Sequence, residues 1–292
     1  MIDLHTHSTF SDGSLTPEQL VEAACRAGLT AVALTDHDCT DGHPRFLAAC
    51  DAARRNGYRD GRGLVGVPGV EISSDVPHGT LHMLGYFIDR SNADLEAALS
   101  YIRDGRAYRN EQILARLNEL GLELAWEEVA AYAGEDVVGR PHFAQAMLAR
   151  GYVGDKQEAF DRYLGKGQKA YVDRFRLTPE DSVKKIVDAG GIAVLAHPFT
   201  LDTDAAGLRR VVGELVDLGL GGIEVLYSEH SPEQRRLYAG LADEFNLVAT
   251  GGTDFHGDIN PDVRLGVGFG NLAVPDDVLD RLAERHTARQ AG

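Results

Sequence analysis

The sequence opens with two histidines whose spacing suits a metal site. His5 and His7 lie in the segment IDLHTHS, which has the pattern of a short β-strand. Side chains two positions apart on a strand leave the same face, so both imidazoles can reach one ion. The pair is a weak signal alone, because two histidines can meet at a strand end without binding a metal. The pair indicates a metal site only if further candidate ligands accompany it.

Further candidate ligands follow the predicted strands along the chain. The segments AVALTDH, VPGVEIS, TLHML, GIAVLAHP and LVATGGTDFH each carry a histidine or a carboxylate. Because active sites of parallel α/β barrels form at the carboxyl ends of the strands, we expect these side chains to converge. With Asp12, which follows the first strand, the candidate metal ligands are His5, His7, Asp12, His37, Glu71, His82, His197, Asp254 and His256.

The donor types of this set indicate its chemistry. Imidazole and carboxylate donors without thiolates suit Mn²⁺, Zn²⁺ or Fe²⁺ better than Ca²⁺ or Mg²⁺. The set exceeds the needs of one ion, so we expect roughly two or three divalent ions per chain, with Mn²⁺ as the first choice. Several ions together can activate a bridging water and stabilise the attacking and leaving oxygens of a displacement at phosphorus. The ligands therefore predict hydrolysis of a phosphate ester.

Alternating strand and helix signals must position these ligands. Thr16, Pro17 and Gly28 have the residue types of a helix cap, a first turn and a helix end. Further helices are predicted near 179–189, 204–218 and 232–245, between apolar strand-like segments. This alternation favours a mainly parallel α/β sheet or a closed barrel.

The middle of the chain has a different pattern. Between about 92 and 167 the strand signal disappears and helix-like segments replace it. We therefore predict a barrel domain formed by 1–91 and 168–292, which carries the metal site. The segment 92–167 is predicted to be a helical insertion that acts as a lid or a substrate-specificity domain.

Composition limits the remaining classes. The 292 residues are 43% hydrophobic and 25% charged, as in a soluble folded protein. No apolar run has the length of a membrane span and no signal peptide is evident, so the cytoplasm is the expected location. The three cysteines lack CxxC spacing, which argues against a disulfide framework. The net charge of -16 disfavours long nucleic acids, although bound cations would still attract small phosphorylated substrates.

The ordered motifs resemble those of the PHP family, named for polymerase and histidinol phosphatase. They read His5-Thr6-His7, Thr35-Asp36-His37, Ala196-His197-Pro198 and Asp254-Phe255-His256, and they span nearly the whole chain. The resemblance implies a distorted (β/α)7 barrel with a trinuclear site, in which a metal-bridging hydroxide is the nucleophile and no protein nucleophile is needed. The implied groups of ligands are His5, His7, Glu71 and Asp254 for one ion, Glu71, His82 and His197 for a second, and Asp12, His37 and His256 for a third.

The insertion carries a second resemblance. Its segment Gly139-Arg140-Pro141-His142 is similar to the PHP subgroup that removes the 3′-phosphate from nucleoside 3′,5′-bisphosphates, a subgroup also linked to 5′-to-3′ trimming of short RNA. Arginines could hold the second phosphate through paired hydrogen bonds, whereas exposed ion pairs are the competing role for Arg106 and Arg109. The candidate substrate-binding residues are Arg106, Arg109, Arg140 and His142.

Several functions remain open on these grounds. The leading hypothesis is a phosphatase for a small phosphorylated nucleotide such as adenosine 3′,5′-bisphosphate, without an obligatory protein partner. A 5′-to-3′ exonuclease on short RNA or DNA shares the metal site, but the negative net charge counts against a polymer groove. A histidinol-phosphate-type phosphatase and a non-catalytic metal-binding accessory protein also remain open. The complete ligand set argues against the accessory role.

Overall fold

The structure is a computed structural model that describes residues 1–58, 63–133, 138–173 and 175–291. The chain divides into two compact units. The first unit comprises Met1–Leu99 and Leu177–Gly292, and the second comprises Ser100–Arg176.

A seven-stranded sheet forms the centre of the first unit, counted over the described residues, and its strands are joined in chain order. The strands are β1 (Ile2–Asp3), β2 (Ala31–Leu34), β3 (Val65–Ser74), β4 (Leu81–Tyr86), β5 (Ile192–Leu195), β6 (Leu220–Tyr227) and β7 (Val248–Gly252). All neighbours are parallel except β4, which runs antiparallel to both β3 and β5. The alternation of strands and helices therefore predicted a mainly parallel sheet correctly.

Backbone hydrogen bonds join the two ends of this sheet. The Leu4 amide donates to the Gly251 carbonyl, and the Asp254 amide donates to the His5 carbonyl. The sheet is thus nearly closed into a barrel, and the predicted distorted α/β barrel is confirmed. Strands such as AVAL and IAVL are buried throughout, as expected for strands covered on both faces.

Helices lie between and after the strands, and the starts predicted from Thr16 and Pro17 are confirmed. Thr16 caps the first helix by accepting a hydrogen bond from the Gln19 amide, and Thr178 and Ser231 cap two later helices in the same way. Over the described residues the helices are α1 (Pro17–Arg26), α2 (His43–Arg55), α3 (Ala93–Glu119), α4 (Trp126–Ala133), α5 (Arg140–Ala149), α6 (Lys156–Ala159), α7 (Pro179–Asp188), α8 (Ala205–Asp217), α9 (Pro232–Glu244) and α10 (Asp277–Gln290).

The second unit is helical in its described part. It contains most of α3, then α4, α5 and α6, and a π-helical turn at Phe160–Leu164. Side chains such as Ile113, Phe143 and Met147 form its separate apolar core. Helix α3 runs without a break across the boundary between the units, so no turn signal in the sequence marks this boundary. None of the helices in the described ranges has both the length and the hydrophobicity needed to cross a bilayer.

Candidate metal centre

The predicted ligands lie at one end of the barrel, at or near strand ends. His37 and His197 follow β2 and β5, and Glu71 lies near the end of β3. His82 is the second residue of β4, yet it reaches the same end because β4 runs against its neighbours and pairs His82 with Ser73 of β3. The antiparallel strand therefore contributes its first residues to the site, where the parallel strands contribute their last.

Glu71 is at the middle of the cluster. Its side chain is 1% exposed. Its two carboxylate oxygens face the nitrogens of five histidines, at 3.3 Å for His5, 3.3 Å for His7, 3.1 Å for His37, 2.8 Å for His82 and 2.9 Å for His197. One carboxylate is thus shared by most of the imidazoles, as a bridging ligand between ions would be.

Two aspartates extend the cluster from Glu71. Asp254 Oδ1 lies 3.0 Å from His7 Nε2 and 3.3 Å from His5 Nε2. Asp12 Oδ1 lies 3.2 Å from His256 Nε2, and its Oδ2 lies 3.6 Å from His37 Nε2. All nine residues predicted from the sequence therefore lie in one connected cluster.

Donor atoms in this cluster form three sets, each with its atoms within 4.8 Å of one another. The set around Asp254 is the group expected for the first ion. The set around Asp12 is the group expected for the third ion with His7 added, and the set around His82 has His37 in the place where His197 was expected. His197 Nε2 nevertheless lies beside Glu71 Oε1. The sets are His5, His7, Glu71 and Asp254, then His7, Asp12, His37 and His256, and then His37, Glu71 and His82.

Unpaired polar atoms show that these residues fit divalent cations. Buried nitrogen and oxygen atoms are normally hydrogen-bonded, and leaving one unpaired is unfavourable by about 1–3 kcal/mol. Within the described part of the chain, six atoms of the candidate ligands are buried without a hydrogen-bond partner, namely His5 Nε2, His7 Nε2, Asp12 Oδ1, His37 Nδ1, Glu71 Oε2 and Asp254 Oδ1. Such a convergence of unpaired imidazole and carboxylate atoms suits ions that accept nitrogen and oxygen donors.

The charges of the cluster also suit cations. Burial alone would raise the pKa of Glu71, but His37 and the other neighbouring histidines hold it well below its usual range. Burial lowers the pKa of His37 to about 4, and Asp12 and Glu71 oppose this shift only in part. Burial would also lower the pKa of His7, yet Asp254 and Glu71 outweigh it and raise the value to about 10. At neutral pH the carboxylates are therefore ionised, and His37 is neutral.

Residues around the ligands hold them in place. Asp36, beside His37, accepts hydrogen bonds from the Ser8 amide at 2.7 Å, the Ser8 hydroxyl at 2.8 Å and the Ser11 hydroxyl at 2.8 Å. These bonds fix the loop between His7 and Asp12. Burial raises the pKa of Asp36, and its hydrogen-bond donors offset this effect in part.

Two residues that contact the candidate ligands, both on β6, were not predicted from the sequence. Glu224 and Tyr227 are buried and contact candidate ligands. A lone acidic residue within the apolar segment GGIEVLYS was the available signal for Glu224. Tyr227 had no such signal, because a tyrosine at the end of a strand is ordinary core composition.

Arg109, one of the candidate substrate-binding residues, is a buried cation in the second unit. The residue is only 5% exposed, and its Nη2 donates to Asn110 Oδ1 at 2.8 Å. Among the described residues no carboxylate forms an ion pair with it. Burial lowers the pKa of Arg109 to about 9, with further lowering by Arg106, Arg140 and Arg176.

The other candidates of the second unit have identified local contacts. Arg140 begins α5, donates to the Leu164 carbonyl at 3.3 Å and lies over the ring of Tyr171 at 5.5 Å. His142 Nδ1 accepts a hydrogen bond from the Gly139 amide at 2.9 Å, which supports the start of α5. His142 and Arg140 therefore have structural contacts, whereas Arg109 is buried and is repelled by the neighbouring Arg106 and Arg140.

Comparison with known proteins agrees with this fold and site. The fold and the cluster define an α/β barrel protein with a histidine and carboxylate metal site. The chain belongs to the family described as PHP domain, whose model matches residues 3–163. The resemblance seen in the ordered motifs is thereby confirmed.

Individual relatives cover most of the chain. It is 37% identical over 256 residues to a 3′,5′-nucleoside bisphosphate phosphatase of Chromobacterium violaceum, covering 87% of each protein. It is 36% identical to the 5′-3′ exoribonuclease Rnm of Salmonella typhimurium, covering 87% of this chain and 84% of the relative. A solved amidohydrolase structure from Chromobacterium violaceum with bound sulfate and no metal has a TM-score of 0.78 and 34% identity, covering 99% of this chain and 96% of that one.

Proposed function

We propose that this protein is a metal-dependent phosphatase that removes the 3′-phosphate from nucleoside 3′,5′-bisphosphates. The observation that carries the proposal is the set of six buried ligand atoms that converge without hydrogen-bond partners. The relatedness to a nucleoside bisphosphate phosphatase over most of the chain supports the substrate class.

Manganese is the metal that we propose for the site, with zinc and iron as the metals that the same donors would accept. When bound, such ions supply an activated water and stabilise the charge that develops on the phosphate oxygens. Glu71 and the buried His5 and His7 would hold the ions, and their burial would limit the access of bulk water to that side of the site. His37 is neutral at pH 7 and can offer its unpaired nitrogen without first losing a proton.

Exposure of the ligands indicates where the substrate approaches. The side chains of His5 and His7 are fully buried and Glu71 is 1% exposed, whereas Asp254 and Asp12 are 21% and 33% exposed. The cluster is thus open on the side of the two aspartates. We place the scissile phosphate on that side, because a phosphate must contact the ions without displacing the deep ligands.

The arginines of the second unit are proposed to hold the other phosphate of the substrate. A buried guanidinium without a carboxylate partner is unfavourable unless an anion compensates its charge. Counted over the described residues, Arg109 is in this situation, and the neighbouring Arg106 and Arg140 add to the positive charge. Guanidinium groups bind phosphate through paired hydrogen bonds, which suits recognition of a second phosphate.

Phosphate release from defined substrates tests the proposal. Chelator-treated protein resupplied with Mn²⁺ should hydrolyse adenosine 3′,5′-bisphosphate much faster than adenosine 5′-monophosphate or histidinol phosphate. Equal rates on all three would refute the substrate assignment. The variants His37→Ala and Asp254→Asn should lose activity, whereas His78→Ala should not, because His78 is exposed on the loop between β3 and β4 and lies outside the three donor sets.

A 5′-to-3′ exoribonuclease is the second candidate function, favoured by the likeness to the enzyme of Salmonella typhimurium. Both activities would use the same metal cluster. A short RNA labelled at its 3′ end distinguishes them. Stepwise release of mononucleotides from the 5′ end, at rates that match turnover of the bisphosphate, would make the nuclease the main activity.

A further inference from the structure

Strand β6 has an unusual place in this site. It supplies none of the nine candidate ligands, although two of its side chains contact them. We propose that Glu224 and Tyr227 are positioning residues of the metal centre, Glu224 for His5 and His197 and Tyr227 for Asp254. This inference rests on the metal-dependent function proposed above.

Glu224 contacts two candidate ligands with its two carboxylate oxygens. Its Oε1 lies 3.2 Å from His5 Nδ1, and its Oε2 accepts the backbone amide of His197 at 2.8 Å. The residue is fully buried, so water does not compete for these bonds. A carboxylate that accepts from Nδ1–H of a histidine fixes the tautomer and leaves the lone pair on Nε2.

The other nitrogen of His5 points into the cluster. His5 Nε2 lies 3.3 Å from Glu71 Oε2 and 3.3 Å from Asp254 Oδ1, and it has no hydrogen-bond partner among the residues that the structure describes. Glu224 therefore selects the form of His5 that presents a free lone pair to an ion.

Tyr227 has the corresponding role for Asp254. Its hydroxyl donates to Asp254 Oδ2 at 2.9 Å. Asp254 Oδ1 faces His5 and His7 and has no hydrogen-bond partner in the described ranges. The bond occupies one carboxylate oxygen and orients the other toward the cluster. The tyrosine ring itself packs 5.5 Å from the ring of His197, which limits its rotation.

An irregularity in β6 brings both side chains to the same face. Side chains alternate along a regular strand, so residues three apart should point to opposite faces. The pairing with β7 shifts between Glu224 and Leu226, which pair with Thr250 and Gly251, and leaves Val225 unmatched. Such a bulge resets the alternation. A Cβ on Gly251 would lie 2.5 Å from Leu226, so glycine is required opposite the bulge.

Metal titration of conservative variants tests the inference. Glu224→Gln keeps the size of the side chain, but its amide would donate to His5 Nδ1 and favour the tautomer with a protonated Nε2. Tyr227→Phe removes only the hydroxyl. We expect each variant to bind at least one Mn²⁺ about 10–100-fold more weakly in calorimetric titration, the range typical for loss of such supporting contacts.

Two further readouts separate positioning from a general structural role. Activity of the variants should depend on Mn²⁺ concentration and recover as Mn²⁺ is raised, with an unchanged KM for the nucleotide. The Co²⁺-substituted variants should show an altered visible absorption spectrum. Tyr238→Phe is the matched control, because Tyr238 is buried against His230 and should leave the Mn²⁺ affinity at the wild-type value.

The outcomes distinguish this inference from the proposed function. If both variants bind Mn²⁺ as tightly as the wild type, the positioning role is wrong, even if their thermal stability falls. If the wild type binds Mn²⁺ but hydrolyses no nucleotide, the substrate proposal fails while the titrations still decide the role of β6. If the wild type binds no Mn²⁺, Zn²⁺ or Fe²⁺, both fail together.

Discussion

Closure of the barrel beside the metal cluster should depend on the absence of a side chain at position 252. Gly252 is the last residue of β7, and a Cβ built on it would lie 2.4 Å from both the amide nitrogen and the Cβ of His5. Normal contacts are longer by roughly 1 Å, so Gly252→Ala must push the two backbones apart. His5 cannot move freely, because its carbonyl accepts the Asp254 amide at 2.9 Å.

The size of the effect follows from these contacts. Overpacking in a tight interior destabilises by about 1–3 kcal/mol. Weakening the closing hydrogen bond adds about 1 kcal/mol. A total of about 2–4 kcal/mol corresponds to a fall in melting temperature of roughly 3–7 °C for a chain of this length. Mn²⁺ affinity should fall as well, because the displaced segment carries His5 and His7.

Denaturation and metal titration of two alanine variants would check this prediction. Gly240→Ala is the control, because nothing lies within 4 Å of a Cβ at that position in α9. Alanine there should stabilise the helix by about 0.5–1 kcal/mol. Urea midpoints would be measured for both variants with and without Mn²⁺. A Gly252→Ala protein with the wild-type midpoint and the wild-type Mn²⁺ affinity would refute the steric argument.

Other predictions concern the substrate, the metal and the thiols. Arg109→Lys should raise the KM for adenosine 3′,5′-bisphosphate by about 10-fold or more, since a charged hydrogen bond contributes about 1.5–3 kcal/mol, whereas the exposed Arg150→Lys should have no effect. Chelation should lower thermal stability, and Mn²⁺ at 100 times its Kd should restore about 2.7 kcal/mol at a single site, visible in a melting scan. Mn²⁺ affinity should rise with pH from 7 toward 9, because His7, with its pKa of about 10, must lose a proton to bind the ion. Calorimetry in two buffers with different ionisation enthalpies would count the released proton. An affinity that does not change with pH would contradict the prediction. Burial raises the pKa of Cys50 to about 12, so a thiol reagent at pH 8 should modify Cys50 only after unfolding.

The convergence of the candidate ligands could be predicted from the sequence because each stands beside a local strand signal. His37 and His197 directly follow short apolar runs, and such runs end at one rim of a barrel. The contact of one carboxylate with several histidines could not be predicted in the same way. Glu71 contacts five histidines only because β4 turns back and brings His82 beside the end of β3, which is a property of strand pairing.

The burial of Arg109 in the second unit could not be predicted from the sequence either. In the sequence, Arg109 lies in a charged helical segment among other arginines. An exposed ion pair and a phosphate contact were therefore equally compatible with the pattern. The structure buries it beside Asn110, which in turn donates to the Val138 carbonyl at 2.7 Å. The distinction depends on the packing of α3 within its unit, and the helical period alone does not specify that packing.

Backbone conformation explains why aspartate suits position 254 and which variant tests it best. Asp254 has φ of 58°, in the left-handed region that aspartate and asparagine adopt more readily than other residues with a Cβ. This turn follows directly after β7 and allows Asp254 and His256 both to face the cluster. Asp254→Ala would therefore combine loss of a ligand with strain of about 1–3 kcal/mol. Asp254→Asn keeps the conformational tolerance and removes only the charge, so its effect on metal binding reports on the ligand itself.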